Sequence, residues 1–115
     1  MKYLPMILLC VLVLFLVKKK FFDTTDYKAL LAEGAIIVDV RSPAEFSAGY
    51  IENSLNIPVG GLMNKLEYLK DKDQTIITCC ASGMRSGAAK KLLVAKGYTH
   101  VINGGGWSSL NNKIK

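Results

Sequence analysis

Four short apolar, β-branched runs alternate with stretches of helical spacing across residues 24–115, and this alternation limits the fold more than any other feature. The runs are 35–40 (AIIVDV), 54–57 (SLNI), 75–79 (TIITC) and 99–102 (THVI). Between them, Thr24 or Thr25 can cap a helix from Asp26 to Glu33, which Gly34 ends. Ser42, Pro43, Ala44 and Glu45 form a capping-box pattern with proline at the first helical position, opening a short helix to Ala48 that Gly49 stops. Residues 62–69 show apolar side chains at helical spacing. Residues 85–96 predict another helix, with Ala88, Ala89, Leu92 and Leu93 on or near its inner face and Gly97 as C-cap. Gly104, Gly105 and Gly106 open a turn before Trp107. Strands alternating with helices imply an α/β domain built on a parallel sheet covered on both faces. In such sheets ligands bind at the carboxyl ends of the strands.

The N-terminus has a different character. Tyr3 to Val17 carries no charge, is rich in Leu, Val, Ile and Phe, and is followed by Lys18, Lys19 and Lys20. As a helix it is about 22 Å long, short of the roughly 30 Å hydrocarbon core unless the lysines snorkel and Phe21 and Phe22 help fill the interface. A cleaved signal peptide wants small residues where these lysines stand, and a lipoprotein site at Cys10 lies mid-segment behind Leu8 and Leu9. A buried helix of a soluble domain would carry a polar face, and this segment has none. Residues 1–22 are therefore expected to form a single transmembrane anchor in the inner (cytoplasmic) membrane, and residues 23–115 one domain. Three lysines after the segment against Lys2 and the amino terminus before it place the domain in the cytoplasm.

Composition narrows the function. The chain has 15 Lys and Arg against 9 Asp and Glu, but four of the lysines flank the apolar segment, leaving 11 against 9 beyond Phe22. The basic character belongs to the anchor, so nucleic-acid binding has no separate support. Three cysteines at 10, 79 and 80, two of them adjacent, do not make a disulfide framework and agree with a reducing compartment. No cluster of Cys, His, Asp and Glu has metal-ligand spacing, and no cofactor is expected. His100 reads as a structural histidine, and the glycine run lacks both a following lysine and dinucleotide spacing.

The chemistry concentrates after the third run, in Cys79, Cys80, Ala81, Ser82, Gly83, Met84, Arg85, Ser86 and Gly87, a loop joining a buried strand to a helix N-terminus. Backbone N–H groups at such a junction converge and favour negative charge, and a thiolate is such a charge. A helix N-terminus and a nearby arginine lower a cysteine's pKa from its usual ~8.5. Small residues let the loop curl around the sulfur, and the planar fork of Arg85 suits an oxyanion such as thiosulfate.

These stretches resemble the rhodanese domains, or thiosulfate sulfurtransferases. The likeness lies in residues 38–46 (VDVRSPAEF), 49–58 (GYIENSLNIP), 80–86 (CASGMRS) and 97–107 (GYTHVINGGGW). It implies a rhodanese-like fold, a five-stranded parallel sheet with helices on both faces. It also implies an enzyme that moves sulfane sulfur from thiosulfate or a protein persulfide to a thiol or cyanide acceptor through a persulfide on Cys80. Cys80 then matches the nucleophile, and Ala81, Ser82, Gly83, Met84, Arg85 and Ser86 match the substrate-binding loop, with Arg85 guiding a small anionic donor. Asp39 and Arg41 match a DVR element read as a structural ion pair in preference to an active-site rim, Glu45 reads as a helix cap, and Trp107 is expected to pack beside the active-site loop.

Two departures bear on this reading. Tyr50 stands where many members have histidine, and Cys79 where an aromatic or apolar residue is common. Counted from Cys79, the interval to Arg85 is that of cysteine-dependent phosphatases, with arsenate reductase the related alternative. Counted from Cys80, it is the shorter loop expected of sulfur transfer. The anchor supports a further alternative, a membrane-tethered sulfur-carrier or binding module with little turnover of small molecules.

Overall fold

The computed structural model describes residues 5–11 and 24–115. Four strands, β1 (Ile36–Asp39), β2 (Leu55–Asn56), β3 (Ile76–Cys80) and β4 (Val101–Gly106), form one all-parallel sheet in the order β2-β1-β3-β4. Among residues 24–115 four α-helices accompany them: α1 (Tyr27–Ala32), α2 (Pro43–Ala48), α3 (Met84–Ala95) and α4 (Trp107–Ile114). Each strand overlaps one of the four runs, β4 only through Val101 and Ile102. The fifth strand expected from the family likeness is absent among the described residues, because residues 24–115 hold no fifth run of that kind.

Side chains on a strand alternate between faces, and that parity divides the core in two. Val38, Val40, Ile76 and Cys80 join Leu62, Ala89 and Leu93 on the α3 side. Ile37, Ile77 and Cys79 join Tyr27 and Leu110 on the side of α1 and α4. The adjacent cysteines therefore lie on opposite faces of the sheet.

Local chemistry accounts for the helix ends. The N-cap of α1 is Asp26, not Thr24 or Thr25: its carboxylate accepts the Ala29 N–H at 3.1 Å. At α2 the capping box is complete, with Ser42 Oγ accepting from Glu45 N and the Glu45 carboxylate accepting from Ser42 N. Residues 62–69 do not make a regular helix. Two 3-10 turns, Val59–Asn64 and Leu66–Tyr68, replace it, interrupted at Lys65 with φ −127° and ψ 23°. On α3 the buried side chains are Ser86, Ala89 and Leu93, while Ala88 and Leu92 face outward.

The glycine run is not a turn. Gly104 to Gly106 complete β4, and Trp107 begins α4, a helix that residues of low helical propensity (Ser108, Ser109, Asn111, Asn112) conceal in the sequence. β3 and β4 pair in step from Ile76↔Val101 to Thr78↔Asn103, then Cys80 meets Gly106, so β4 has one extra residue in this interval.

The expected anchor is only partly within the described residues. Residues 5–11 are helical and exposed, and seven residues rise about 10 Å against the roughly 30 Å needed to span. No helix among the described residues is long and apolar enough to cross a membrane. The remainder of the expected anchor, residues 1–4 and 12–22, lies outside them.

Candidate active site

The carboxyl end of β3, the loop 81–83 and the first turn of α3 enclose the Cys80 sulfur, and the residue is 1% exposed. Gly83 makes this turn possible. It is the N-cap of α3 with φ +100°, a left-handed conformation that costs glycine little. The turn aims the Gly83 N–H at Cys80 Sγ, 2.9 Å away. Ser86 Oγ approaches the same sulfur at 3.4 Å.

Burial pushes the Cys80 thiol up. The Ser86 side chain and the N–H groups of Ser86, Gly83 and Ser82 oppose burial and prevail, so its pKa is lowered from the ordinary thiol value. The neighbouring Cys79 follows the opposite course. It is fully buried on the α1–α4 side, and burial together with the Asp39 and Cys80 charges pushes its thiol up to about 12, against the pull of Arg41. Two adjacent cysteines thus differ in chemistry because strand parity gives them different surroundings.

Arg85 does not stand free at the rim. Its guanidinium grips Glu45 with both ends of the fork, Nη1 to Oε1 at 2.6 Å and Nη2 to Oε2 at 2.9 Å, and the two side chains are 39% and 38% exposed. Glu45 is therefore more than a helix cap: the Arg85 guanidinium and the Ser42 hydrogen bonds lower its pKa to about 2. The pair ties α2 to the active-site loop across 40 residues of sequence.

Asp39 and Arg41 form the structural pair expected of them. Both are buried; Arg41 donates to the carboxylate of Asp39 at 2.7–3.0 Å and to the carbonyls of Glu45 and Gly49. Trp107 packs on this framework. Its ring lies 4.7 Å from the Arg41 guanidinium, and a Cβ on Gly49 would come within 2.9 Å of it. Tyr50 is exposed and stacks on Phe46, with centroids 4.5 Å apart. His100 is exposed, its Nδ1 2.8 Å from Thr99 Oγ1.

Of the predicted loop residues, the structure brings Cys80, Gly83 and Ser86 together at the sulfur. Ala81, Ser82 and Met84 form the exposed rim, and Arg85 turns toward Glu45. Sequence reasoning missed Asn103. Its side chain accepts from Ser86 Oγ at 2.7 Å and donates to the Gly83 carbonyl at 3.1 Å, bracing the loop from β4. Only the pairing of β4 with β3 brings it there, and no local pattern marks it. No three His, Cys, Asp or Glu side chains gather as a metal-binding group among the described residues.

The chain is 36% identical over 70 residues to thiosulfate sulfurtransferase PspE of Escherichia coli (strain K12), a match covering 60% of this chain and 67% of that protein. It is 34% identical over 94 residues to the thiosulfate:glutathione sulfurtransferase of Saccharomyces cerevisiae, covering 69% and 68%. Among solved structures, a rhodanese with anions from E. coli superimposes with a TM-score of 0.61 at 33% identity, covering 65% of this chain and 89% of that one. The model of the rhodanese-like domain matches residues 23–113, and the chain belongs to the rhodanese-like family.

Proposed function

We propose that the protein is a sulfurtransferase that carries sulfane sulfur on Cys80, taking it from thiosulfate or a protein persulfide and passing it to a thiol or cyanide. The observation that carries this reading is the Cys80 sulfur held 2.9 Å from the Gly83 N–H, with its pKa lowered despite burial. The Cys80 thiolate attacks the outer sulfur of the donor. A new S–S bond forms on Cys80 as the donor's own S–S bond breaks, and the electron pair leaves with sulfite when the donor is thiosulfate. The acceptor then attacks the outer sulfur of the persulfide, and Cys80 regains its thiolate. The Gly83 N–H is placed to favour the anion at the start and end of this cycle.

The register matching cysteine-dependent phosphatases begins at Cys79, whose thiol is buried on the opposite face and raised to about 12. That placement favours sulfur transfer on Cys80 over phosphate chemistry on its neighbour. For residues 1–22 the proposal is a single-pass anchor in the cytoplasmic membrane with the domain facing the cytoplasm. Its support is the uncharged run from Tyr3 to Val17 and the lysines that follow it.

Mass spectrometry of the protein after thiosulfate treatment tests the assignment. Wild type and Cys79→Ser should gain one sulfur, and Cys80→Ser none. Sulfur recovered on Cys79, or no sulfur on wild type with any donor, would overturn it.

A further inference from the structure

The extra residue in β4 falls between Asn103 and Gly106, beside the loop, and the Asn103 side chain there has three polar partners. Its Nδ2 donates to the Gly83 carbonyl at 3.1 Å, and its Oδ1 accepts the Gly105 N–H at 3.0 Å. A carbonyl only accepts and a backbone N–H only donates, so these contacts fix which end of the amide is oxygen. Ser86 Oγ lies 2.7 Å from that same Oδ1. The amide oxygen has no hydrogen to give, so Ser86 is the donor, and its single hydroxyl hydrogen is committed to Asn103. Across the 3.4 Å contact with Cys80 Sγ, Ser86 then acts only as an acceptor.

We propose that Asn103 is a positioning residue that competes with the Cys80 thiolate for the single Ser86 hydroxyl hydrogen and so restrains the help Ser86 gives to ionisation. When Cys80 ionises, its proton leaves to solvent and the sulfur keeps the Gly83 N–H. The Ser86 O–H reaches the thiolate only by turning away from Asn103, which leaves Oδ1 with the Gly105 N–H alone. Asn103 thus opposes ionisation through Ser86, while its Nδ2 steadies the carbonyl of Gly83, whose N–H favours ionisation. The other ionisable groups around the sulfur are Cys79 on β3, Arg85 on α3 with its partner Glu45 on α2, and the Asp39–Arg41 pair at the end of β1. The substitutions below leave all of them in place.

The test is the pH dependence of Cys80 alkylation by iodoacetamide in the full chain, followed at that residue by mass spectrometry. Asn103→Ala should move the midpoint down by about one pH unit, a roughly tenfold rise in thiolate, as expected for one hydrogen bond gained by a charged group. In a Ser86→Ala background the same substitution should no longer lower the midpoint, which stays put or rises because only the Nδ2 bond to the Gly83 carbonyl is lost. Asn103→Asp keeps the acceptor, loses the Nδ2 donor and adds a negative charge that disfavours the thiolate, so its midpoint should stay at or above that of wild type, and it serves also if Asn103→Ala does not fold. A midpoint that rises or stays put in Asn103→Ala, a fall that persists without the Ser86 hydroxyl, or a fall in Asn103→Asp would overturn the proposal. The proposal takes Cys80 as the reactive cysteine, but alkylation needs no sulfur donor. A chain that shows these shifts yet forms no persulfide would refute the sulfurtransferase reading and leave this one standing.

Discussion

The Glu45 carboxylate closes the capping box of α2 and grips Arg85, and its titration should be visible in the stability of the protein. Its pKa is about 2 in the folded chain, against roughly 4.3 when unfolded. A carboxylate with a depressed folded value stabilises the fold in full above its unfolded pKa and loses that contribution as pH falls through the folded one. Urea unfolding midpoints of wild type and Glu45→Gln should therefore differ by a constant amount from about pH 6 upward and converge between about pH 4 and pH 2. Parallel curves down to pH 2 would contradict the ion pair. Local spacing revealed half of this residue's role: Ser42 and Glu45 are three apart, and the box is written in those positions. The pairing with Arg85 spans 40 residues and depends on how α2 and α3 meet, which no local pattern encodes. Loop spacing favours Cys80 over Cys79, and strand parity places the two thiols on opposite faces of the sheet.

At the scale of elements, the glycines of β4 act through close approach. A Cβ on Gly104 would lie 2.8 Å from Ile77 Cγ2, 2.9 Å from Leu110 Cδ2 and 3.0 Å from the Thr78 carbonyl oxygen. Two of those neighbours are core side chains and the third is backbone, so little can yield. Gly104→Ala should cost about 1–3 kcal/mol in urea unfolding, the range of overpacked cores. A cost below about 0.5 kcal/mol would show that α4 moves aside. This use of glycine explains why residues 104–106 read as a turn: glycine permits both a turn and a crowded strand, and only the partner strand decides. The runs at 35–40 and 75–79 gave reliable strand positions because burial on both faces leaves no polar alternation to misread, whereas the run at 99–102 marks only the first two residues of β4. The 3-10 turns were illegible for the opposite reason. Leu62 and Leu69 are buried at a spacing a helix would also produce, while the backbone breaks at Lys65 between them.

For the whole molecule, charge and hydropathy divide the chain into two parts of different character. Residues from Asp23 onward carry nearly balanced charge, and the rhodanese-like match begins there, so the excess of lysine lies with the apolar segment. A domain whose surface is close to neutral gains little from anionic lipid, whereas an uncharged 15-residue run ending in three lysines gains both apolar transfer and headgroup contact. The length shortfall against a bilayer is a few residues, which snorkelling lysines or local thinning can cover at modest cost. Membranes from cells expressing the full chain, washed with alkaline carbonate, should therefore retain the protein in the pellet, while a chain starting at Asp23 should stay in the supernatant and still form the Cys80 persulfide. Protease added outside spheroplasts should leave the domain intact if it faces the cytoplasm. Release of the full chain by carbonate would remove the anchor, and digestion from outside would reverse its orientation. Persulfide formation in the shortened chain separates both results from the chemistry, because the site is built wholly from residues beyond 38.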